Sequence, residues 1–539
     1  MKTKYKLLTL ASVLAFSSCN DEVAFTPEYP LNITVDSVLT VNIDAAEKYQ
    51  IIDGFGASGA WTLDFVGKYW SNSNKEAIAE MLFSSEIKDG QPKGIGLTQW
   101  RFNVGGGSTE QAASGVDSGI EDKTRRVECF LNEAGSYNWN KCGGQQYFMA
   151  KAKEYGVNKF TLFTGTPPVF MTKNGKAWSG AGVTSANLKD DCYDDFADFL
   201  ATTAKHFVDE GYNIELISPI NEPENEWKGG QEGSTWHNDE VARLAKELDK
   251  KLTEYGLTDT KMMFTEAASW NHVYEKFGND RGNSIEEFFD PSSQNYIGNL
   301  DHMADIICGH SYWTDKIWNK MENVRKNVHD KASQYGIKVY QSEWSMLCES
   351  WEEDPMYEDY ANFDDATYMD LSLSMAKVMY HDLATANVNS WSYWTAASTE
   401  VYSQKNRFWL IRLIPEGGDY GDIEGNGSVQ SGKNLWVLGN YSLFVRPGYQ
   451  RIGLTLDEQN NKFFATAFLS PENDKLVVVY NNLTDRSIQI TNKFSGFDKQ
   501  VGDFEQYTTS AVKNLRREPD YQKGLLPAKS VSTFIYTLN

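Results

Sequence analysis

Short, nearly continuous apolar runs recur along most of the chain, at 51–56, 98–103, 160–164, 216–221, 262–266, 305–310, 339–343 and 388–394. Runs of that length, bounded by turn residues, read as strands buried on both faces. Between them lie longer stretches with apolar residues at helical period, for example 193–210, 239–255, 317–335 and 368–386. Strand and helix in alternation is the rhythm of a parallel sheet, so the eight units predict an α/β fold, a (β/α)8 barrel over 46–445. Past residue 445 the period changes. Runs at 463–469, 475–480, 487–491, 504–509 and 530–537 are short strands with turn residues between them, an all-β module of sandwich type. The alternating stretch 31–44 has no barrel partner, so 31–45 is assigned with 446–539 to one β-sandwich side domain.

The first thirty residues read as processing and tether rather than fold. Met1-Lys-Thr-Lys-Tyr-Lys6 is basic, 7–16 is apolar but too short to span a bilayer, and Ser17-Ser18-Cys19 follows. This layout resembles a bacterial lipoprotein signal (1–19), with Cys19 becoming the lipidated first residue; an ordinary secretory signal is the alternative. Asn20-Asp21-Glu22 looks like an acidic surface-export tag, and 20–30 reads as a tether. The expected location is the cell envelope, lipid-anchored at the outer membrane or cell surface, or in the periplasm, with membrane contact through the lipid alone. A monomer is expected.

Composition narrows the function. A net charge of −23 over 539 residues argues against nucleic acid, which needs a basic footprint. Aromatics make up 13% of the chain, including 16 Trp, and flat rings suit sugar C–H faces, although a large barrel buries most of its aromatics anyway. Beyond Cys19, an odd number of cysteines remains without CxxC spacing, which argues against zinc; Cys129 and Cys142 flank a short loop and could pair. The histidines are scattered without HExxH, so no metal or cofactor is expected. Gly54-Phe-Gly56-Ala-Ser-Gly59 spells G-x-G-x-x-G, but Asp53 stands where a dinucleotide-binding strand is apolar, and a glycine-rich first barrel turn accounts for it better.

Two glutamates carry the chemistry. Leu-Ile-Ser-Pro-Ile-Asn221-Glu222-Pro223 brings Glu222 to the end of the fourth strand, and Lys338-Val-Tyr-Gln-Ser-Glu343 brings Glu343 to the end of the seventh. Barrel chemistry sits at strand C-terminal ends, and strands four and seven face each other across the mouth. Hydrolysis of a glycoside with retention needs one protonated and one ionised carboxyl, roughly 5–5.5 Å apart. Asn221 has an amide suited to a sugar 2-OH. Arg101, on strand two, would keep Glu343 charged by pairing with it. Glu266 on strand five would act as a further acid tuning the pair. His310 and Tyr312 on strand six, and Trp394 on strand eight, would line the subsite for the cleaved sugar.

Asp53-Gly-Phe-Gly-Ala57, Trp100-Arg-Phe-Asn103, Pro219-Ile-Asn-Glu-Pro223, Ser342-Glu-Trp344 and Gly439-Asn-Tyr-Ser-Leu-Phe-Val-Arg-Pro-Gly448 together resemble glycoside hydrolase family 30. The resemblance implies a barrel fused to a sandwich built from both termini, with Glu222 as acid/base and Glu343 as nucleophile. Pro223-Glu-Asn-Glu-Trp227 with Gly230-Gln-Glu-Gly233, and Arg125-Arg-Val-Glu-Cys-Phe-Leu131 with Tyr137-Asn-Trp139, resemble the branch that cleaves β-1,6-linked galactan. Gly165-Thr166 replaces the Trp usual in the glucosylceramidase branch. The expectation is a retaining β-1,6-galactanase acting on polysaccharide or oligosaccharide. Other family specificities (β-1,6-glucan, glucosylceramide, xylan) and a non-catalytic glycan-binding lipoprotein are the rival readings.

Overall fold

The computed structural model describes residues 34–278, 280–347, 363–402, 405–457 and 460–539. The expected signal and tether, with Cys19, lie outside the described residues.

Among the described residues, parallel strands Gly54–Ser58, Gln99–Asn103, Lys159–Phe163, Ile214–Ser218, Ile306–His310, Lys338–Glu343 and Ser390–Tyr393 form the barrel wall with a fifth strand in two pieces, Lys261–Met262 and Glu266–Ala267. The first piece pairs with strand four and the second with strand six, so the circuit closes through the broken strand. Strand eight pairs with strand one from Ser390↔Gly54 to Tyr393↔Ala57. A Cβ on Gly56 would lie 2.9 Å from the Ser392 hydroxyl and 3.1 Å from the Gln99 carbonyl. The glycine-rich string therefore lets neighbouring strands approach and builds no dinucleotide turn.

Helices Tyr193–Asp209, Asn238–Glu254, Trp318–Tyr335 and Tyr368–Ala384 occupy the stretches with helical period. The last opens on a capping box: the Thr367 hydroxyl accepts from the Asp370 N–H at 3.1 Å, and the Asp370 carboxylate accepts from the Thr367 N–H at 3.0 Å. Trp318–Tyr335 stops at Gly336, whose φ of 66° no β-carbon residue adopts cheaply. No helix among the described residues is long and apolar enough to cross a membrane.

The side domain is a nine-stranded sheet into which the N-terminal strand Ser37–Ile51 is inserted, antiparallel to Gln450–Leu456 and parallel to Ile488–Ser495. That strand continues past the boundary expected at residue 45. A register shift between Asp44 and Lys48 carries it on to Ile51↔Gln450, so 46–51 belong with the sandwich and the barrel wall begins at Gly54. Phe463–Leu469 is buried throughout. Phe463, Ala465, Ala467 and Leu469 pack inside the sandwich, whereas Phe464 and Phe468 join the barrel core. Cys129 and Cys142, which flank a loop short enough to bridge, are both free thiols; the Cys142 Sγ instead donates to the Glu128 carbonyl at 3.4 Å.

Candidate active site

Glu343 is the last residue of the seventh strand, whereas Glu222 lies beyond the end of the fourth. The apolar run suggested a strand to residue 221, but Pro219 has no N–H to donate and regular pairing stops at Ser218. The chain then runs alongside strand five: Asn221 bridges to Glu266, and the Glu222 N–H donates to the Glu266 carbonyl at 2.7 Å. Glu222 takes a φ of 47°, which aims its side chain back across the mouth toward His310 and Glu343.

Three buried carboxylates meet one guanidinium and one imidazole here. Arg101 donates through Nη1 to Glu343 Oε2 at 2.6 Å, and through Nη2 to Asn221 Oδ1 at 3.0 Å and Glu266 Oε2 at 2.8 Å. His310 Nδ1 lies 2.7 Å from Glu222 Oε1 and 3.9 Å from Glu343 Oε1, and its Nε2 is 3.4 Å from Glu266 Oε2. The Tyr312 hydroxyl donates to Glu343 Oε1 at 3.1 Å. One oxygen each of Glu222 and Glu343, together with a His310 ring nitrogen, all fall within 4.8 Å of one another. Such a triad has the makings of a cation site, but its atoms are committed to each other, to Arg101 and to Tyr312.

The carboxyls are driven apart electrostatically. Burial pushes Glu222 up, and the nearby charges of Glu343 and Glu224 add to it, against the pull of His310. Burial acts on Glu266 too, but the Arg101 charge and hydrogen bonds from His310 and Ser218 outweigh it and hold that carboxyl well below its usual range. Burial would lower His310, yet the surrounding glutamates raise it to about 10, so it is a cation at neutral pH. Above these groups opens a cleft of about 870 Å³, with Asn221, Glu222, Tyr312 and Glu343 at its floor and Trp61, Trp227, Trp313 and Trp394 among its walls.

The sequence model of O-Glycosyl hydrolase family 30 matches residues 38–407, and that of the family 30 beta sandwich domain matches 448–534. The chain belongs to glycoside hydrolase family 30. A curated relative of this family 30 chain is an endo-beta-1,6-galactanase of Hypocrea rufa, 26% identical over 322 residues, which are 57% of this chain and 60% of that protein. An exo-beta-1,6-galactobiohydrolase of Bifidobacterium longum is 20% identical over 44% of this chain and 17% of its own length. The matched stretch thus spans less than two thirds of either relative. Among solved structures, a conserved exported protein from Bacteroides fragilis superposes with a TM-score of 0.82 at 31% identity, covering 92% of this chain and all of that one.

Most residues singled out in this family 30 sequence converge. Glu222, Glu343, Asn221, Tyr312, Trp227 and Trp394 face the cleft, while Arg101 and Glu266 lie beneath it, holding the acids. His310 departs from its expected place: it is fully buried behind the glutamates and bonds them rather than lining a sugar subsite. Pattern reading missed Asn225, which donates to Glu222 Oε2, and Trp313, 60% exposed at the cleft edge. Each sits within a few residues of a residue the sequence did single out. Tyr402, whose ring lies 5.2 Å from the Arg125 charge at the cleft wall, carries no local signal at all, and Arg125 stood out only as the start of the 125–131 string, without a role.

Proposed function

We propose that this chain is a retaining β-glycosidase that cleaves β-1,6-linked galactan by double displacement, with Glu222 as acid/base and Glu343 as nucleophile. The observation that carries this is the pair of carboxyl oxygens within 4.8 Å of each other, one acid raised by burial and the other bound by a guanidinium. Glu343 attacks the anomeric carbon as Glu222 gives its proton to the leaving oxygen. A covalent glycosyl-enzyme forms, and Glu222 then takes a proton from the water that releases the sugar. Arg101 fixes Asn221 Oδ1, which leaves the Asn221 Nδ2 free to donate to a sugar hydroxyl.

The galactan assignment draws on the 26% identical endo-beta-1,6-galactanase and on the 223–233 segment, which lines the cleft with Trp227 and Gln231. Incubation with β-1,6-galactan, β-1,6-glucan and xylan, with products resolved by chromatography and the first-formed anomer by NMR, tests it. Galacto-oligosaccharides released as the β-anomer support the reading; cleavage of glucan or xylan alone rejects the substrate, and an α-anomer rejects the mechanism. Glu222→Gln and Glu343→Gln should each lower kcat by at least about 100-fold while retaining glycan binding. Unchanged turnover in either would overturn the residue assignment.

A further inference from the structure

Glu232 takes no part in the proposed chemistry, yet it is buried at the cleft wall and fully hydrogen-bonded. Its Oε2 accepts from the Gly106 N–H at 2.8 Å, and its Oε1 accepts from the Ser108 N–H at 3.0 Å and the Ser108 hydroxyl at 2.5 Å. All three donors lie in the turn at 105–108 that leaves the second barrel strand, while Glu232 ends the cleft wall that leaves the fourth. The approach is tight on both sides. A Cβ on Gly106 would stand 2.4 Å from Thr166 Cγ2 and 3.5 Å from Glu232 Oε2, and a Cβ on Gly165 would stand 2.9 Å from the Glu232 carbonyl oxygen. Only glycine fits at either place.

A carboxylate is a costly way to join loops. Burial pushes the Glu232 carboxyl up to about 7 even against the hydrogen bonds from Gly106 and Ser108, and an apolar contact would avoid that desolvation. What the carboxyl supplies is geometry, because its two oxygens accept all three donors at once, which a side-chain amide with a single oxygen does not. The far end of the wall shows where that geometry is used. Asn225 donates to Glu222 Oε2, and the Trp227 indole N–H donates to the Glu222 carbonyl at 3.2 Å. Asn225, Trp227 and Gln231 all face the cleft. Backbone bonds from Gly180 to Trp227 at 2.7 Å and from Gly230 to Gly119 at 3.0 Å tie the wall to other loops, and Glu232 adds the charged tie to the strand-two turn.

We propose that Glu232 is a positioning residue: it clasps the 225–231 wall so that Asn225 and Trp227 meet Glu222 and the cleft grips sugar units beyond the cleaved one. This rests on the glycosidase reading above. The test compares wild type with Glu232→Gln, which keeps the shape but offers one acceptor oxygen and turns amide hydrogens toward the donors. With a length series of β-1,6-galacto-oligosaccharides, KM on the longest member should rise about tenfold while kcat changes by less than about threefold. Amide hydrogen exchange at 225–231 should rise in parallel. Ser108→Ala, which keeps the carboxylate and both N–H donors, should move KM the same way by a smaller factor, and it carries the test if the glutamine variant does not fold. Unchanged KM at every length, or an equal loss of kcat on all substrates with a lowered Tm, overturns the proposal. If wild type leaves galactan intact, only the substrate reading fails, and unaltered exchange at 225–231 in Glu232→Gln still overturns this one.

Discussion

A guanidinium presents five N–H donors in a rigid planar fork. Arg101 spends its fork on Glu343, Asn221 and Glu266 while its flat face lies 3.6 Å from the centre of the Phe163 ring. A lysine ammonium can neither span those acceptors nor stack in that way. Arg101→Lys should therefore lower kcat/KM about 100-fold in a protein whose circular dichroism is unchanged, as steady-state kinetics on the cleaved polysaccharide would measure. His310 acts in the opposite direction to burial on Glu222. In the proposed mechanism Glu222 must hold its proton to donate it, so activity should be lost as pH rises through its pKa, already above the ordinary value of 4.5. Removing the His310 hydrogen bond and charge leaves burial unopposed and raises that pKa further. His310→Gln should thus shift the alkaline limb of the kcat/KM profile to higher pH; a limb that moves lower would contradict the electrostatic account. Glu222, Glu343 and Arg101 were legible because strand-end acids and a strand-borne arginine are unusual in apolar runs. Asn225 and Glu232 stood inside the strings that carry the branch resemblance, but their individual roles were not legible, since a polar residue in a loop has no pattern to break.

At the scale of elements, the strands at 463–469 and 475–482 explain why alternation was hard to read there. Both faces are covered over most of their length, so apolar residues run almost unbroken through 463–469 and 476–480, and the period of two survives only in which core each side chain joins. Phe464 points to the barrel, with its ring centre 5.2 Å from Trp318 and 4.8 Å from Tyr380 on two barrel helices. Phe464→Ala should cost about 3 kcal/mol in urea unfolding, as deletion of a packed phenyl ring does. A loss well below that would mean the two cores pack independently. The fifth barrel strand misleads differently: its apolar run at 262–266 looks continuous, but the chain pairs with strand four at one end and strand six at the other and is irregular between. Which neighbour a strand can reach depends on barrel closure, and no local residue encodes that.

For the whole molecule, the seam between barrel and sandwich is continuous rather than hinged. The barrel core cluster includes Phe464, Phe468, Val477, Val479 and Val531 of the sandwich. The helix Lys433–Ser442 bonds directly into the sheet, with Asn440 Nδ2 donating to the Thr509 hydroxyl at 2.8 Å and the Thr533 hydroxyl donating to the Asn440 carbonyl at 2.7 Å. A chain stopped at residue 445 would leave the Trp318 and Tyr380 rings and this helix face uncovered. It should be recovered in the insoluble fraction, whereas residues 31–539 should be recovered in the soluble fraction and melt in one cooperative transition by calorimetry. Two separate transitions in that longer chain would contradict a shared core.

The sequence by itself determined the alternation of strands and helices, the all-β end, the family 30 motifs and the two strand-end glutamates, because each is written in local period or in contiguous residues. Tertiary structure decided the rest. It paired the N-terminal strand with strands roughly four hundred residues or more along the chain and ran it on to Ile51, turned Glu222 toward Glu343 beyond a strand already ended by Pro219, and buried His310 behind the acids instead of in the cleft wall. The physical reason is the same in each case. Burial, and with it the charge state and partners of an acid or imidazole, is set by which distant segments close over it, and those segments share no local pattern.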